Sequence, residues 1–136
     1  MKVIVETPRW NLVKYTYRGG MFQPEFFSPL PTLFNYGFVK GTKGEDGLPE
    51  DAIVLGPRLK QGTEVEVMEF GAVYFIDDGR KDDKRITGEG PVTLSDRLMI
   101  RLFFTAYAVF KTVYYLLSEG RFARCRYGGF GLNRSV

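Results

Sequence analysis

Histidine is absent from the 136 residues, which removes the commonest general base, the Ser-His and Cys-His nucleophile pairs, and His-ligated zinc or iron. Catalysis is left to carboxylates, lysine, tyrosine, arginine or a metal held by oxygen, and oxygen-only ligation points to magnesium, manganese or calcium. Cysteine is nearly absent too. The single Cys125 excludes an internal disulfide and fits a reducing compartment. No uninterrupted apolar run reaches the roughly eighteen residues of a membrane span. The N-terminal MKVIVETPRW lacks the apolar core and small-residue cleavage site of a signal peptide. A cytoplasmic protein with no membrane segment is expected.

The length suits one domain, residues 1–136, large enough to bury a core. Sixteen glycines and seven prolines supply many turns and lean toward a β-rich fold. The formal charge of +3 says less than its layout: acids cluster at Glu45 to Asp51 and Asp77 to Asp83, while Arg121, Arg124, Arg126 and Arg134 crowd the C-terminus. Arginines interleaved with Phe and Tyr are one way to bind nucleic acid. A solvated surface facing a neighbouring acidic patch accounts for them as well and leaves the acids explicable, so no nucleic-acid partner is expected.

Residues 2–6 and 13–18 read as short strands, and 19–33, with Gly-Gly and three prolines, as mostly irregular. Phe34 to Val39 and Ala52 to Leu55 are short strands around a loop from Lys40 to Glu50. Thr63 to Phe70 alternates polar and apolar as a half-buried strand, Ala72 to Ile76 continues as a strand into the Asp77-Asp78-Gly79 turn, and Lys84 to Thr87 returns. Strands at this spacing suggest a small closed barrel. From Ser95 to Ser118 there is no Gly or Pro; Leu98, Leu102, Ala106, Val109, Val113 and Leu117 follow helical spacing, with Ser95 as N-cap and Gly120 as C-cap. The expected class is α+β, mainly β, with one long C-terminal helix packed on the barrel.

Two acidic turns border strands: Asp46 and Asp51 flank one, Asp77 and Asp82 the other, with Lys84 two residues on. Turns on one barrel rim converge, so such carboxylates can share a cation, although acidic turns are also common on surfaces.

The ordered segments Glu6-Thr-Pro-Arg-Trp-Asn-Leu-Val-Lys14-Tyr15, Asn35-Tyr36-Gly37-Phe38, Glu45-Asp46-Gly47-Leu48-Pro49-Glu50-Asp51 and Asp77-Asp78-Gly79-Arg80-Lys81-Asp82-Asp83-Lys84 resemble the family I soluble inorganic pyrophosphatases. That family reads E-x-P-x(6,7)-K-Y-E, N-Y-G, D-G-D-P-x-D and D-E/D-x(3)-D-x-K, followed by a helix with a Tyr-Lys pair. Tyr114-Tyr115 and Gly120-Arg121-Phe122 echo that last part. The resemblance implies a five-stranded, OB-like barrel with a flanking helix, and magnesium-dependent hydrolysis of pyrophosphate by a metal-activated water, manganese being possible in its place. It implies metal-ligand roles for Asp46, Asp51 and Asp82, and for Asp77 and Glu6 on metals arriving with substrate. Lys14, Tyr36, Lys84 and Tyr114 would make phosphate-side contacts. Bacterial relatives often form hexamers, so a homo-oligomer is expected.

The departures from the pattern are specific. Thr16 stands where the family has glutamate, Glu25 where it has arginine, and Tyr115 where it has the phosphate-binding lysine. Leu48 replaces the carboxylate that takes the proton of the nucleophilic water, a loss of about 10²–10⁴-fold in rate for a general base. Arg18 and Lys111 could restore a cation, and Glu45 or Glu50 could reach a metal-bound water. Two readings result: a phosphohydrolase of reduced or altered activity, or a pyrophosphatase-like protein that binds metal or phosphate, or acts through subunit contacts, without turnover.

Overall fold

The computed structural model describes residues 1–28, 30–44 and 47–133. Among them the chain forms β1 (Lys2–Thr7), β2 (Val13–Arg18), β3 (Met21–Phe27), β4 (Asn35–Val39), β5 (Asp51–Val54), β6 (Glu64–Glu66), β7 (Met68–Asp77), β8 (Arg80–Lys81), β9 (Lys84–Gly88), α1 (Leu94–Glu119) and β10 (Arg126–Leu132). The main sheet runs β10-β7-β9-β5-β4-β1-β6, with β8 on β7, and β2-β3 form a separate ribbon. The pairings of the described residues follow this open path, without one that joins β10 to β6.

Among the described residues only β5 and β9 pair in parallel; the other pairings are antiparallel. Ala52 opposite Arg85 puts the first residues of both strands, Asp51 and Lys84, at the same end of the sheet. The long strand β7 joins that neighbourhood by pairing Val73 with Lys84 and ends at Asp77, where Asp78 (φ 54°) and Gly79 (φ 77°) make the two-residue hairpin to β8.

Asn35 holds the start of β4. Its Oδ1 accepts from the Arg9 and Leu59 amides (3.0 and 2.9 Å), and its Nδ2 donates to the carbonyls of Val54 and Pro57 (3.3 and 2.9 Å). Two residues on, a Cβ at Gly37 would lie 2.0 Å from the Ile4 carbonyl oxygen. Asn-Tyr-Gly is therefore a pin, a site residue and a close strand approach in succession.

The core is largely aromatic: Phe34, Phe75, Phe104 and Tyr107 interlock, with Phe103 edge-on to Phe34 (centroids 5.0 Å apart). A smaller aliphatic cluster of Val3, Val39, Ala52, Val54 and Val67 fills the other side of the sheet.

Several sequence expectations change. Residues 21–27 are strand, not irregular, because Gly19 and Gly20, both at positive φ, turn β2 back on itself, and Pro24 falls beside the bulge between Lys14 and Tyr15. The alternating run from Thr63 breaks at Val67, since β6 pairs with β1 whereas β7 pairs with β9 and β10. The helix cap is Thr93 in a capping box with Asp96, not Ser95, while Gly120 closes the helix at φ 65° as expected. The glycine-rich β10 was not expected to be a strand; it fits because Gly71 of β7, lacking a Cβ, lets the Gly131 carbonyl approach closely.

The helix also faces the other way. Its buried side is Ile100, Phe103, Phe104, Tyr107, Ala108 and Lys111, whereas Leu98, Leu102, Val109, Val113 and Leu117 are exposed. By length and composition alone α1 would qualify as a membrane span, against the expectation drawn from uninterrupted runs. Its packed face and sealed Lys111 are those of a helix docked on a core.

Candidate active site

The shared ends of β5 and β9 create an ion cluster. Lys84 Nζ, buried at 1% exposure, lies 2.8 Å from Asp51 Oδ2 and 2.6 Å from Asp82 Oδ2. Burial alone would lower the Lys84 pKa, but the two carboxylates hold it above its ordinary value. Asp82 shifts the opposite way: burial would raise it, but Lys84, then Lys14 and Lys111, pull it below the usual carboxylate range. Both carboxylates are about a third exposed, and in each the Oδ1 atom is uncommitted among the described residues.

Lys14 enters from β2. Its Nζ donates to the Tyr107 hydroxyl (2.8 Å) and lies 4.7 Å from the Tyr36 ring centroid. Its ion-pair partner among the described residues is Glu25, at 4.0 Å; Glu25 is the extra residue of the β2–β3 bulge, since Lys14 opposes Phe26 and Tyr15 opposes Pro24. Among the described residues the buried Tyr36 hydroxyl has no hydrogen-bond partner, a costly arrangement in a folded protein, and burial, opposed by Lys14, raises its pKa. Because Tyr107 accepts from Lys14, its own proton is available for a bound anion.

Asp77 closes the cluster at the end of β7. Its Oδ2 pairs with Lys111 Nζ (3.3 Å), and its Oδ1 accepts from the Tyr115 hydroxyl (3.1 Å) and the Cys125 thiol (3.7 Å). Burial, with Asp77, raises the Cys125 pKa against the Asp78 backbone hydrogen bond and Lys111. Glu6 is buried beside β2, its Oε2 accepting from the Tyr17 amide (2.6 Å). Burial pushes its pKa up to about 7 despite that bond.

The structure thus gathers Lys14, Tyr36, Asp51, Asp77, Asp82, Lys84 and Lys111 around one end of the sheet, with Glu6 at its border. Tyr114 packs by its ring on Phe26 and Phe110 (5.4 and 6.0 Å). Arg18 is exposed at the turn end of β2, about 13 Å along the strand from Lys14. Glu50 is held by Arg85. Asp46 and Glu45 of the first acidic turn, and Arg134 of the basic tail, lie outside the described residues. Leu48, half-exposed at 49%, accepts the Gly44 amide through its carbonyl (2.7 Å). Tyr107 and Phe26 were not picked out in the sequence; Tyr107 lies seven residues after Ile100, three after Phe104 and four before Lys111, a spacing that reads as core.

Among the described residues no three carboxylate or cysteine side chains converge as a ready metal cluster. The Asp51 and Asp82 Oδ1 atoms are nevertheless hard oxygen donors of the kind magnesium takes with water completing its shell. The donor chemistry fits such a cation.

Comparison with known proteins gives the same frame. A family model described as inorganic pyrophosphatase matches residues 3–89. The inorganic pyrophosphatase of Sulfolobus acidocaldarius is 34% identical over 89 residues, 62% of this chain and 51% of that protein. The soluble inorganic pyrophosphatase of Oryza sativa subsp. japonica is 35% identical over 88 residues, 61% and 41% of the two chains. The chain spans about half the length of the curated relatives it matches. In fold, the Helicobacter pylori inorganic pyrophosphatase superposes with TM-score 0.81 at 22% identity, covering 99% of this chain and 85% of that one. The Thermus thermophilus enzyme gives 0.81 at 23%, covering 99% and 83%. With the matched segment running from the first strand through β9, across Lys14, Tyr36, Asp51, Asp82 and Lys84, the chain belongs to the inorganic pyrophosphatase family.

Proposed function

We propose that the chain is a magnesium-assisted phosphohydrolase that splits pyrophosphate slowly. The observation that carries this reading is the anion cradle: half-buried Lys14, buried Lys84, the Tyr36 hydroxyl without a partner among the described residues and the available Tyr107 proton, all beside the Asp51–Asp82 oxygen pair. Asp51 and Asp82, with Asp46 by resemblance, hold the metal, which when bound neutralises phosphate charge and makes water more acidic. Manganese is the alternative ion. Lys14 and Lys84 stabilise charge on the phosphoryl oxygens, and Tyr36 and Tyr107 orient them through hydroxyl protons. Leu48 contributes no proton acceptor, so turnover is low. By the same reading the curled sheet is the small barrel of the family, and the protein works in the cytoplasm as a homo-oligomer, a hexamer by analogy, using the exposed leucines of α1.

Phosphate release from pyrophosphate in magnesium tests this. Slow release by the parent, abolished in Asp51→Asn and raised about 10²-fold in Leu48→Asp, is expected. No release by the parent and none gained by Leu48→Asp would replace hydrolysis with the second reading, binding without turnover, which pyrophosphate affinity would then measure.

A further inference from the structure

Two cations approach the Phe26 ring from different elements: Lys14 Nζ of β2 at 5.5 Å from its centroid and Lys111 Nζ of α1 at 5.2 Å. Lys111 is buried to 5% exposure on the core face of the helix, where an apolar residue packs by default. An ammonium there is costly unless something offsets it. Asp77 contributes to this at 3.3 Å, with its other oxygen engaged by Tyr115 and Cys125, and against the burial Tyr107 and Asp77 hold the ammonium above its ordinary pKa. Ring faces also line the Lys111 head: Tyr115 at 5.0 Å and Tyr114 at 6.0 Å. Lys14 works against its charge, and both lysines act on Asp82. Placing Lys111 beside Lys14 gains nothing for an Asp77 ion pair. It does concentrate positive charge around the Tyr36 hydroxyl and the Tyr107 proton.

We propose that Lys111 is a second anion-binding cation of this site, taking one phosphoryl group of a diphosphate whose other group rests on Lys14 and Tyr107. This rests on the anion-binding reading of the cradle given above. Lys111 and Tyr115 are four residues apart and so share a helix face, separated by about one 5.4 Å turn, which a flexible four-carbon stem spans. The lysine has in effect moved one turn toward the helix N-terminus while a tyrosine fills the later position. Tyr115 and Asp77 become positioning residues: the hydroxyl fixes one carboxylate oxygen so that the other steers the ammonium.

Calorimetric titration with methylenediphosphonate, a non-hydrolysable diphosphate mimic, and with inorganic phosphate, both with magnesium present, tests the assignment. Lys111→Met is expected to weaken diphosphonate binding at least about tenfold, as losing a charge-assisted hydrogen bond does, and phosphate binding less. Lys111→Arg keeps affinity within about threefold of the parent, and Tyr115→Lys added to Lys111→Met recovers much of the loss. Should Lys111→Met not fold, Lys111→Gln with a native far-UV spectrum carries the same expectation. If the lysine-free variants bind diphosphonate as the parent does while Lys14→Met does not, the role of Lys111 falls and the cradle stands. If the parent binds neither probe, both fall together.

Discussion

Lys84 joins two strands through two carboxylates, so its removal shows what the cluster contributes. Lys84→Met leaves Asp51 and Asp82 facing each other without the ammonium that bridges them. Breaking a buried pair costs about 3–5 kcal/mol; with both acids a third exposed, about 2–3 kcal/mol is expected in urea unfolding at neutral pH. The Asp82 pKa is depressed in the folded state, so its contribution is present above its unfolded value and is lost as pH falls through the folded one. The penalty of Lys84→Met therefore shrinks in acid. Glu6 behaves oppositely. Its pKa rises from 4.5 unfolded to about 7 folded, so the folded protein binds the extra proton, and stability falls as pH rises between those values. In metal-free buffer, Glu6→Gln is expected to gain about 2–3 kcal/mol over the parent at pH 8 and almost nothing at pH 4; equal effects at both would show Glu6 titrating normally. Glu25, 4.0 Å from Lys14, competes with any anion there. Glu25→Gln is expected to tighten phosphate binding about three- to tenfold with a steeper dependence on salt; an unchanged affinity would put the anion elsewhere.

At the scale of the element, backbone approach decides more than propensity. A Cβ at Gly71 would sit 2.0 Å from the Gly131 carbonyl oxygen, and in a paired ladder neither strand can yield without losing its register. Gly71→Ala is expected to cost more than about 3 kcal/mol and to detach β10, seen as fast amide exchange from Arg126 to Leu132 ahead of global unfolding. Thr93→Ala, which removes only the cap, is expected to cost about 1 kcal/mol. This contrast explains what could be read in advance. Asn35-Tyr36-Gly37 and the Asp77-Asp78-Gly79 hairpin carry their structural reasons locally, in a pin, a steric limit and two positive φ angles, and the sequence displays them. The existence and length of α1 were visible in the absence of Gly and Pro. Its orientation was not, because Leu98, Leu102 and Val109 form as good an apolar stripe as Phe103, Phe104 and Tyr107, and nothing local says which one meets the sheet. The same ambiguity hid Tyr107, and β10 was hidden because its glycines serve a partner strand about sixty residues away.

On the scale of the whole molecule that second stripe has to be accounted for. Leu94, Leu98, Leu102, Val109, Val113, Leu116 and Leu117 are between 46% and 80% exposed and lie along one side of a 26-residue helix, about 39 Å long. Apolar patches of that continuity exceed what most monomers leave to water, and the buried face on the opposite side already provides the helix with its core contacts. Association of copies through this stripe would bury it without disturbing the cradle, because Tyr107 and Lys111 point into the sheet. Sedimentation of the parent at micromolar concentration is therefore expected to show an oligomer, and Leu102→Glu with Leu117→Glu to yield monomers, since each carboxylate would have to be desolvated at the contact. The monomers should keep the parent's phosphate affinity within about twofold, as distant sites act additively. A parent that sediments as a monomer would overturn the assignment of the stripe, and monomers that lose phosphate binding would show that a neighbouring copy completes the site.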